Sequence, residues 1–339
     1  MINALYGALE SGLIYAIMAL GVYLTFRILD FPDLTVDGSF VTGGAVASIL
    51  MVNGTSPFLA TLAGGGAGFI AGCITGVLHT KGKINPLLAG ILMMIALWSI
   101  NLRIMGRPNI PLLNESTLFT QGKEFWQSMP VDQWLMAPFN WLGITAFAPS
   151  TFFVIISVGV LVILFKKLLD WFLHTEAGLA LRATGDNARM VKSLSANTNQ
   201  HIIIGLGISN AFVAISGALI VQYNGFADVG LGIGMIIVGL ASVIIGEGLF
   251  GKSSIARTTL AVVLGAIAYR LILSVALQLE FVSASDLKLI TALIVTGALV
   301  VPTWWKQWRD KQERVKKQKE LTKTLEQERG KDVAAASTD

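Results

Sequence analysis

Nine apolar stretches, most of them about twenty residues long, run through this 339-residue chain and exclude most folds before any motif is considered. A bilayer's hydrocarbon core is about 30 Å thick and takes about 20 residues of helix to cross. On that ruler the spans fall near 4–27, 38–53, 56–79, 84–105, 151–173, 200–222, 229–250, 256–279 and 286–305, the second of them short. Backbone in lipid must satisfy its own hydrogen bonds, which apolar runs of this length can do only as helices. The expected fold class is an all-α polytopic membrane protein with about nine transmembrane helices (8–10). Only 14% of the residues are charged, where soluble domains carry about a quarter, so a water-soluble fold is excluded.

The N-terminus has no basic flank for a cleavable signal, and its first apolar run is long enough to stay as a span. The single cysteine, Cys73, lies inside an apolar segment and reads as a small buried hydrophobe, with no disulfide framework or Cys-based metal site possible in one chain. The net charge of +4 comes largely from segments between spans and calls for no nucleic acid.

One polar stretch, residues 174–199, separates two long apolar runs and carries Arg182, Arg189 and Lys192. Excess basic charge marks the cytoplasmic side. Parity then puts the N-terminus and the 106–150 loop outside and the C-terminus inside. Arg27, Lys81, Lys83, Lys166, Lys167, Lys252 and Arg257 fall inside, against Arg103, Arg107 and Lys123 outside. The stretch itself reads as two short helices, the first ended by Gly185 in a positive-φ turn and the second capped by Asp186 or Asn187. In the second, Met190, Val191 and Leu194 recur at helical spacing. Such an amphipathic element either rests on lipid headgroups or receives a partner.

The run Glu176-Ala-Gly178-Leu-Ala-Leu-Arg182-Ala183-Thr-Gly185-Asp-Asn187, followed by Met190 and Ser193-Leu194, resembles the cytoplasmic coupling loop of bacterial ABC-importer permeases of the branched-chain amino acid and ribose type. Gly12 to Ser48, Ile84-Asn85-Pro86 to Leu92, and Gly239 to Gly251 are similar to the same family, so that the likeness spans most of residues 5–300. The resemblance implies that Glu176, Gly178, Arg182, Ala183, Gly185, Asn187, Met190 and Leu194 meet an ATP-binding ABC subunit. It implies an extracytoplasmic solute-binding protein on the outer face, a second permease copy as homodimer partner, and residence in the bacterial inner membrane. It implies no catalysis by this chain and no cofactor. Ser195 stands where many relatives have Gly, and the Asp-rich 30–37 stretch stands where branched-chain permeases usually show Asn and His. The Phe31-Pro-Asp33-Leu-Thr-Val-Asp37-Gly-Ser variant resembles the subgroup linked to aromatic or other hydrophobic amino acids.

Two polar interruptions organise the spans. Asp30-Phe-Pro-Asp33-Leu-Thr-Val-Asp37-Gly breaks the first apolar block, Pro32 and Gly38 being the expected helix breakers, and Asn224 to Gly232 breaks a later one. Such breaks line a cavity rather than lipid. Sliding the chain by 195 positions superposes them: Gly12 on Gly207, Ala16 on Ala211, Ala19 on Ala214, Phe31 on Phe226, Asp33 on Asp228, Gly44 on Gly239 and Ile49 on Ile244. Five spans lie between the copies, so the halves, about 4–105 and 200–305, are expected as an inverted repeat with broken helices beside the substrate path. Chance coincidence among Gly, Ala and Ile is the competing explanation. Together they would form a permease domain over 1–305, followed by a charged cytoplasmic tail, 306–339.

Asp33, Asp37, Asn101, Asn210, Asp228 and Arg270 are the candidate path residues. Arg270, deep in the eighth span, either attracts a substrate carboxylate or pairs with Asp228, Asp33 or Glu10; the pair is the preferred reading, since one buried cation usually answers one buried anion. The asparagines and Gln278 also suit bonding between helices. Gly68, Gly72 and Gly76 mark a strip for close helix contact within the chain. The 106–150 loop, with Trp126, Trp134, Trp141 and five prolines, is expected to hold an interfacial helix at 134–142. Gly246 to Ser253 matches a phosphate-binding loop pattern but ends an apolar span, with no α/β domain to hold a nucleotide. His79, His174 and His201 lack ligand spacing, and no catalytic constellation is visible. The alternative function is an ion-coupled secondary transporter using Asp33 and Asp228.

Overall fold

The computed structural model describes residues 2–128, 132, 151–194, 197–278, 289–297 and 300. Helix α1 (Ile2–Tyr23) widens into a π-helical turn, Leu24–Ile28, and stops; α2 (Thr35–Val52), α3 (Pro57–Thr80) and α4 (Pro86–Met105) follow. After strand β1 (Asn109–Pro111) come α5 (Leu118–Gln127), α6 (Phe153–His174), α7 (Glu176–Ser193) and α8 (Thr198–Asn224). Strand β2 (Phe226–Asp228) leads through a 3₁₀ turn, Val229–Gly232, to α9 (Met235–Phe250) and α10 (Ile255–Ala276), and residues 289–297 are again helical. Proline starts α3 and α4, where its missing N–H has no helical partner to lose. Left-handed glycines, Gly106 and Gly225, close α4 and α8.

Among the described residues, seven helices are long and apolar enough to cross a membrane. Helix α6 matches the expected 151–173 span in position but carries Lys166, Lys167 and Asp170 towards its end. The expected 286–305 span is described only at 289–297 and 300, and the tail at 306–339, the 134–142 piece and Ser195 lie outside the described residues.

Helices α1 and α8 form the centre. From Ile14 to Leu20 every residue of α1 is buried, and α8 is buried along most of its length, as expected of helices apolar on all sides. They run antiparallel and are pinned by two hydroxyls: Ser209 Oγ donates to Gly21 O at 2.7 Å and Ser216 Oγ to Ile14 O at 2.9 Å. Helix α3 packs on α8 through its glycine strip, where a Cβ at Gly68 or Gly72 would overlap Asn210 or Leu206. The strip serves packing within the chain, as expected. Phe58, Ile70, Ile95, Ile163 and Trp171 on α3, α4 and α6 stay exposed, faces suited to lipid.

Two local expectations, at Gly38 and Gly185, are corrected. Gly38 does not break a helix; α2 starts at Thr35, and Gly38 lies in its first turns, pressed on Leu97 of α4. The span expected at 229–250 is found as Val229–Phe250, opening with the 3₁₀ turn and continuing as α9 from Met235, whose N-cap Gly234 has φ +87°. Gly185 is not a positive-φ stop: the helix runs past it, and the kink falls at Asn187 (φ −158°, ψ 86°), whose Oδ1 caps Met190 N–H at 3.1 Å. A small antiparallel ladder, Asn109 opposite Asp228 and Pro111 opposite Phe226, ties the segment after α4 to the segment after α8. It follows the C-terminus of α8, whereas α7 precedes the N-terminus.

Candidate functional site

The two breaks are built alike. Asp33 Oδ1 accepts the Thr35 N–H at 2.9 Å, and Asp228 Oδ1 accepts the Gly230 N–H at 2.7 Å, the same two-residue step that caps a new turn. Each second oxygen takes an asparagine amide: Asn210 Nδ2 at 2.7 Å for Asp33, Asn109 Nδ2 at 3.4 Å for Asp228. Asp33 and Asn210 are fully buried between helices, and Asp228 is held in the ladder. Asp33 and Asp228 serve the turns they begin, and Asn210, in the middle of α8, holds Asp33.

Asp37 reaches across to the second break. Its Oδ2 accepts from Gly234 N–H at 2.9 Å and its Oδ1 from Ile236 N–H at 2.8 Å, so a carboxylate of α2 caps the N-terminus of α9. Beside it a cavity of about 380 Å³ opens between α2, α4 and the 3₁₀ turn, lined by Asp37, Val41, Trp98, Asn101, Gly232 and Ile233. Asn101 is 1% exposed; its Nδ2 donates to Gly38 O at 3.2 Å, while its Oδ1 has no partner among the described residues. An unmatched buried acceptor is costly, so this one is suited to a donor that arrives from outside the fold.

On the other side of the 3₁₀ turn lies a second cavity, about 470 Å³, with Arg270, Tyr15 and Tyr269 in its wall. The expected ion pair of Arg270 is absent among the described residues. Glu10 accepts the Tyr223 hydroxyl at 2.8 Å, Asp33 and Asp228 are engaged as above, and the ion pairs among the described residues are Arg27–Glu247 and Lys166–Asp170. Instead the guanidinium carbon sits 4.0 Å from the centroid of the Tyr15 ring, and Nε is buried without a partner. Of the six predicted path residues, then, Asp37 and Asn101 share one cavity, Arg270 lines another, and Asp33, Asn210 and Asp228 line neither of the two.

Sequence reasoning missed Trp98, which is three residues from Asn101 and therefore on its face of α4, and Tyr15, which has no signal in an apolar span. It also missed the bidentate pair of Arg27 with Glu247, at 2.7 and 2.6 Å, which joins the end of α1 to the end of α9.

The predicted coupling residues fall on two sides of α7. Gly178, Leu181 and Thr184 are buried, and a Cβ at Gly185 would overlap Ile28 O beyond α1. Arg182 lines a polar cleft with Arg27, Glu247 and Lys252, and Ala183 is half-buried. Glu176, Asn187, Met190 and Leu194 face away, and with Leu179 they expose three large apolar side chains. Near the same cleft the Gly246 to Ser253 motif spans the end of α9 and the turn before α10, where Ser254 caps α10; a helix stands where a phosphate loop needs a strand.

Buried broken helices, cavities at the breaks and an amphipathic helix with an unpartnered apolar face are the parts of a multi-pass membrane transport protein that takes its drive from elsewhere. The chain belongs to the family described as branched-chain amino acid transport system, permease component, whose model matches residues 4–302. It is 41% identical over 297 residues to the tyrosine transport system permease protein of Clostridioides difficile, covering 88% of this chain and 90% of that one. It is 34% identical over 299 residues to an uncharacterized protein of Rickettsia prowazekii, covering 86% and 95%. To the ribose import permease protein of Escherichia coli it is 25% identical over 305 residues, covering 88% and 85%. No solved structure matches. The chain is thus the membrane-spanning permease of an ABC importer for a small solute, a multi-pass protein of the bacterial inner membrane working with an ATP-binding subunit.

Proposed function

We propose that this permease moves an aromatic amino acid, tyrosine or a near relative, along a path that includes the cavity beside Asp37 and Asn101. The observation that carries the reading is that cavity's chemistry: a carboxylate, an unpartnered amide oxygen and an indole converge on one space. An ammonium suits the two oxygens, and an aromatic ring suits Trp98. The 41% identical relative named for tyrosine transport supports the same class.

In this reading the α7 end faces the cytoplasm and the ladder end faces out. The exposed Leu179, Met190 and Leu194 face receives the ATP-binding subunit, which hydrolyses the ATP; the permease catalyses nothing. Closure of that subunit presses α7 on the end of α1 through Gly185 and on α8 through Leu181, which meets Gly205. A solute-binding protein delivers at the ladder end, two permease copies form the path, and the halves 4–105 and 200–305 rock as an inverted repeat. The reciprocal Ser209–Gly21 and Ser216–Ile14 bonds support that repeat, since each residue has its 195-shifted counterpart in the other bond.

The test is uptake into proteoliposomes holding the permease with its ATP-binding subunit and binding protein. ATP-dependent accumulation of labelled tyrosine, well above leucine and ribose and reduced about tenfold by Asn101→Leu, is expected. Accumulation of leucine or ribose in preference to tyrosine would overturn the substrate class, and transport by the permease alone would overturn the mechanism.

A further inference from the structure

A cation inside a membrane bundle normally finds an anion, because an uncompensated buried charge is costly. Among the described residues Arg270 has no ion pair and meets the face of Tyr15 at 4.0 Å. Its Nε is buried with no hydrogen-bond partner, although three carboxylates, Glu10, Asp33 and Asp228, lie in the same bundle and are each engaged elsewhere. The side chain opens on a cavity of about 470 Å³, within the size range of small-molecule sites. The other walls are apolar and aromatic: Tyr269, Met235, Leu231 and Leu273, with Thr291 hydrogen-bonded to the Tyr269 hydroxyl at 3.2 Å.

We infer that this cavity is a carboxylate-binding site, and that Arg270 selects solutes carrying an α-carboxylate next to an apolar or aromatic body. The guanidinium edge formed by Nε and one terminal nitrogen matches the two oxygens of a carboxylate, and Nε is a buried donor that has no partner within the described fold. The contact with the Tyr15 ring holds the guanidinium at the cavity wall before a ligand arrives. Arg270 stands six residues before the end of α10 at Ala276, about 9 Å along the axis. In the orientation proposed above, that is the outward end, where solute enters. Ile233 lines both this cavity and the one with Asp37, which places carboxylate recognition next to ammonium recognition. The inference deepens the amino acid reading, and its test separates the two.

Thermal unfolding of the purified permease in phosphatidylcholine nanodiscs would be followed with N-acetyl-tyrosine, which keeps the carboxylate and masks the amine, and with tyramine, which lacks the carboxylate. N-acetyl-tyrosine is expected to raise the transition temperature of the wild type and tyramine to leave it unchanged. Arg270→Gln should weaken the half-saturating concentration by tenfold or more, and Arg270→Lys, which keeps the charge without the fork, by less. No stabilisation of the wild type by N-acetyl-tyrosine, or equal stabilisation by tyramine, would overturn the inference whether or not the variants fold. Stabilisation that appears only when phosphatidylglycerol is added, and depends on Arg270, would assign the cavity to a lipid phosphate and overturn it too. The outcome does not depend on tyrosine uptake: a carboxylate effect without uptake would fault the transport reading alone, and uptake unaltered in both variants with no carboxylate effect would fault this inference alone.

Discussion

Asp37 holds a helix to which it does not belong. Both its oxygens accept N–H groups of the Gly234–Ile236 segment, so the start of α9 depends on a side chain of α2 almost two hundred residues away. Asp37→Asn keeps one acceptor and presents a donor where the other stood, against a second N–H. Each charge-assisted bond is worth about 1.5–3 kcal/mol, so a loss of about that size is expected, read as a lower transition temperature in detergent together with reduced uptake. Asp132, which follows α5 in the chain, offers a different test. Burial pushes its carboxyl up, but bonds from Trp126 Nε1 at 2.9 Å, Phe152 N–H and Thr151 Oγ1, with the charge of Lys123, outweigh it and leave the group below the ordinary carboxylate value. A carboxyl lowered by folding contributes in full above the unfolded value of about 3.9 and loses that contribution as pH falls through the folded one. Hydrogen-exchange protection over residues 118–128, corrected for the intrinsic rate at each pH, should therefore fall below about pH 4, and Asp132→Asn should remove that dependence. The aspartates of the breaks were legible because a carboxylate beside Pro or Gly in an apolar block has few uses other than capping or a path. The partners were not legible: nothing in one dimension distinguishes Asn210, which meets Asp33, from Asn101, which meets Gly38.

At the scale of the element, α7 separates two functions that the sequence presents as one motif. Its inward face, Gly178, Leu181 and Gly185, is packed on the bundle, and its outward face carries Leu179, Met190 and Leu194. Met190→Asp and Leu194→Asp should leave the transition temperature nearly unchanged and weaken retention of the ATP-binding subunit about tenfold each, as expected when a large apolar side chain is lost from an interface. Gly185→Val should instead destabilise the permease itself by about 1–3 kcal/mol, because its branched side chain overlaps Ile28 O. Co-purification and thermal unfolding, measured on the same preparations, separate the faces; equal effects of all three variants on both would show that α7 has no such division. The composition marked the stretch as amphipathic and helical. It misplaced the break, because Gly185 has two uses, turn and close contact, and periodicity cannot choose between them.

For the whole molecule, α1 and α8 cross antiparallel at its centre, and the two hydroxyl bonds at the crossing, both donated by α8, join pairs of positions that are images of each other. Ser209 to Gly21 and Ser216 to Ile14 exchange places under the 195-residue shift that also superposes the two breaks. Apart from Phe31 on Phe226 and Asp33 on Asp228 at the breaks, the sequence carried that relation as scattered Gly, Ala and Ile coincidences, since packing constrains residue size and leaves identity free. The hydroxyls themselves have no counterpart at Ile14 and Gly21, so they escape any search for matching letters. If the crossing lies on a pseudo-two-fold axis, the two bonds have equivalent surroundings and should be worth the same. Bonds between membrane helices average about 0.6 kcal/mol, so Ser209→Ala and Ser216→Ala should each destabilise by about that amount. The serines are seven residues apart, about 10 Å along α8, far enough for the double variant to show the sum of the two losses. Unfolding of the single and double variants in one detergent measures all three quantities. Markedly unequal single losses would mean that the two ends of the crossing bear different loads, and the permease would then have to be described as two unlike halves rather than one half used twice.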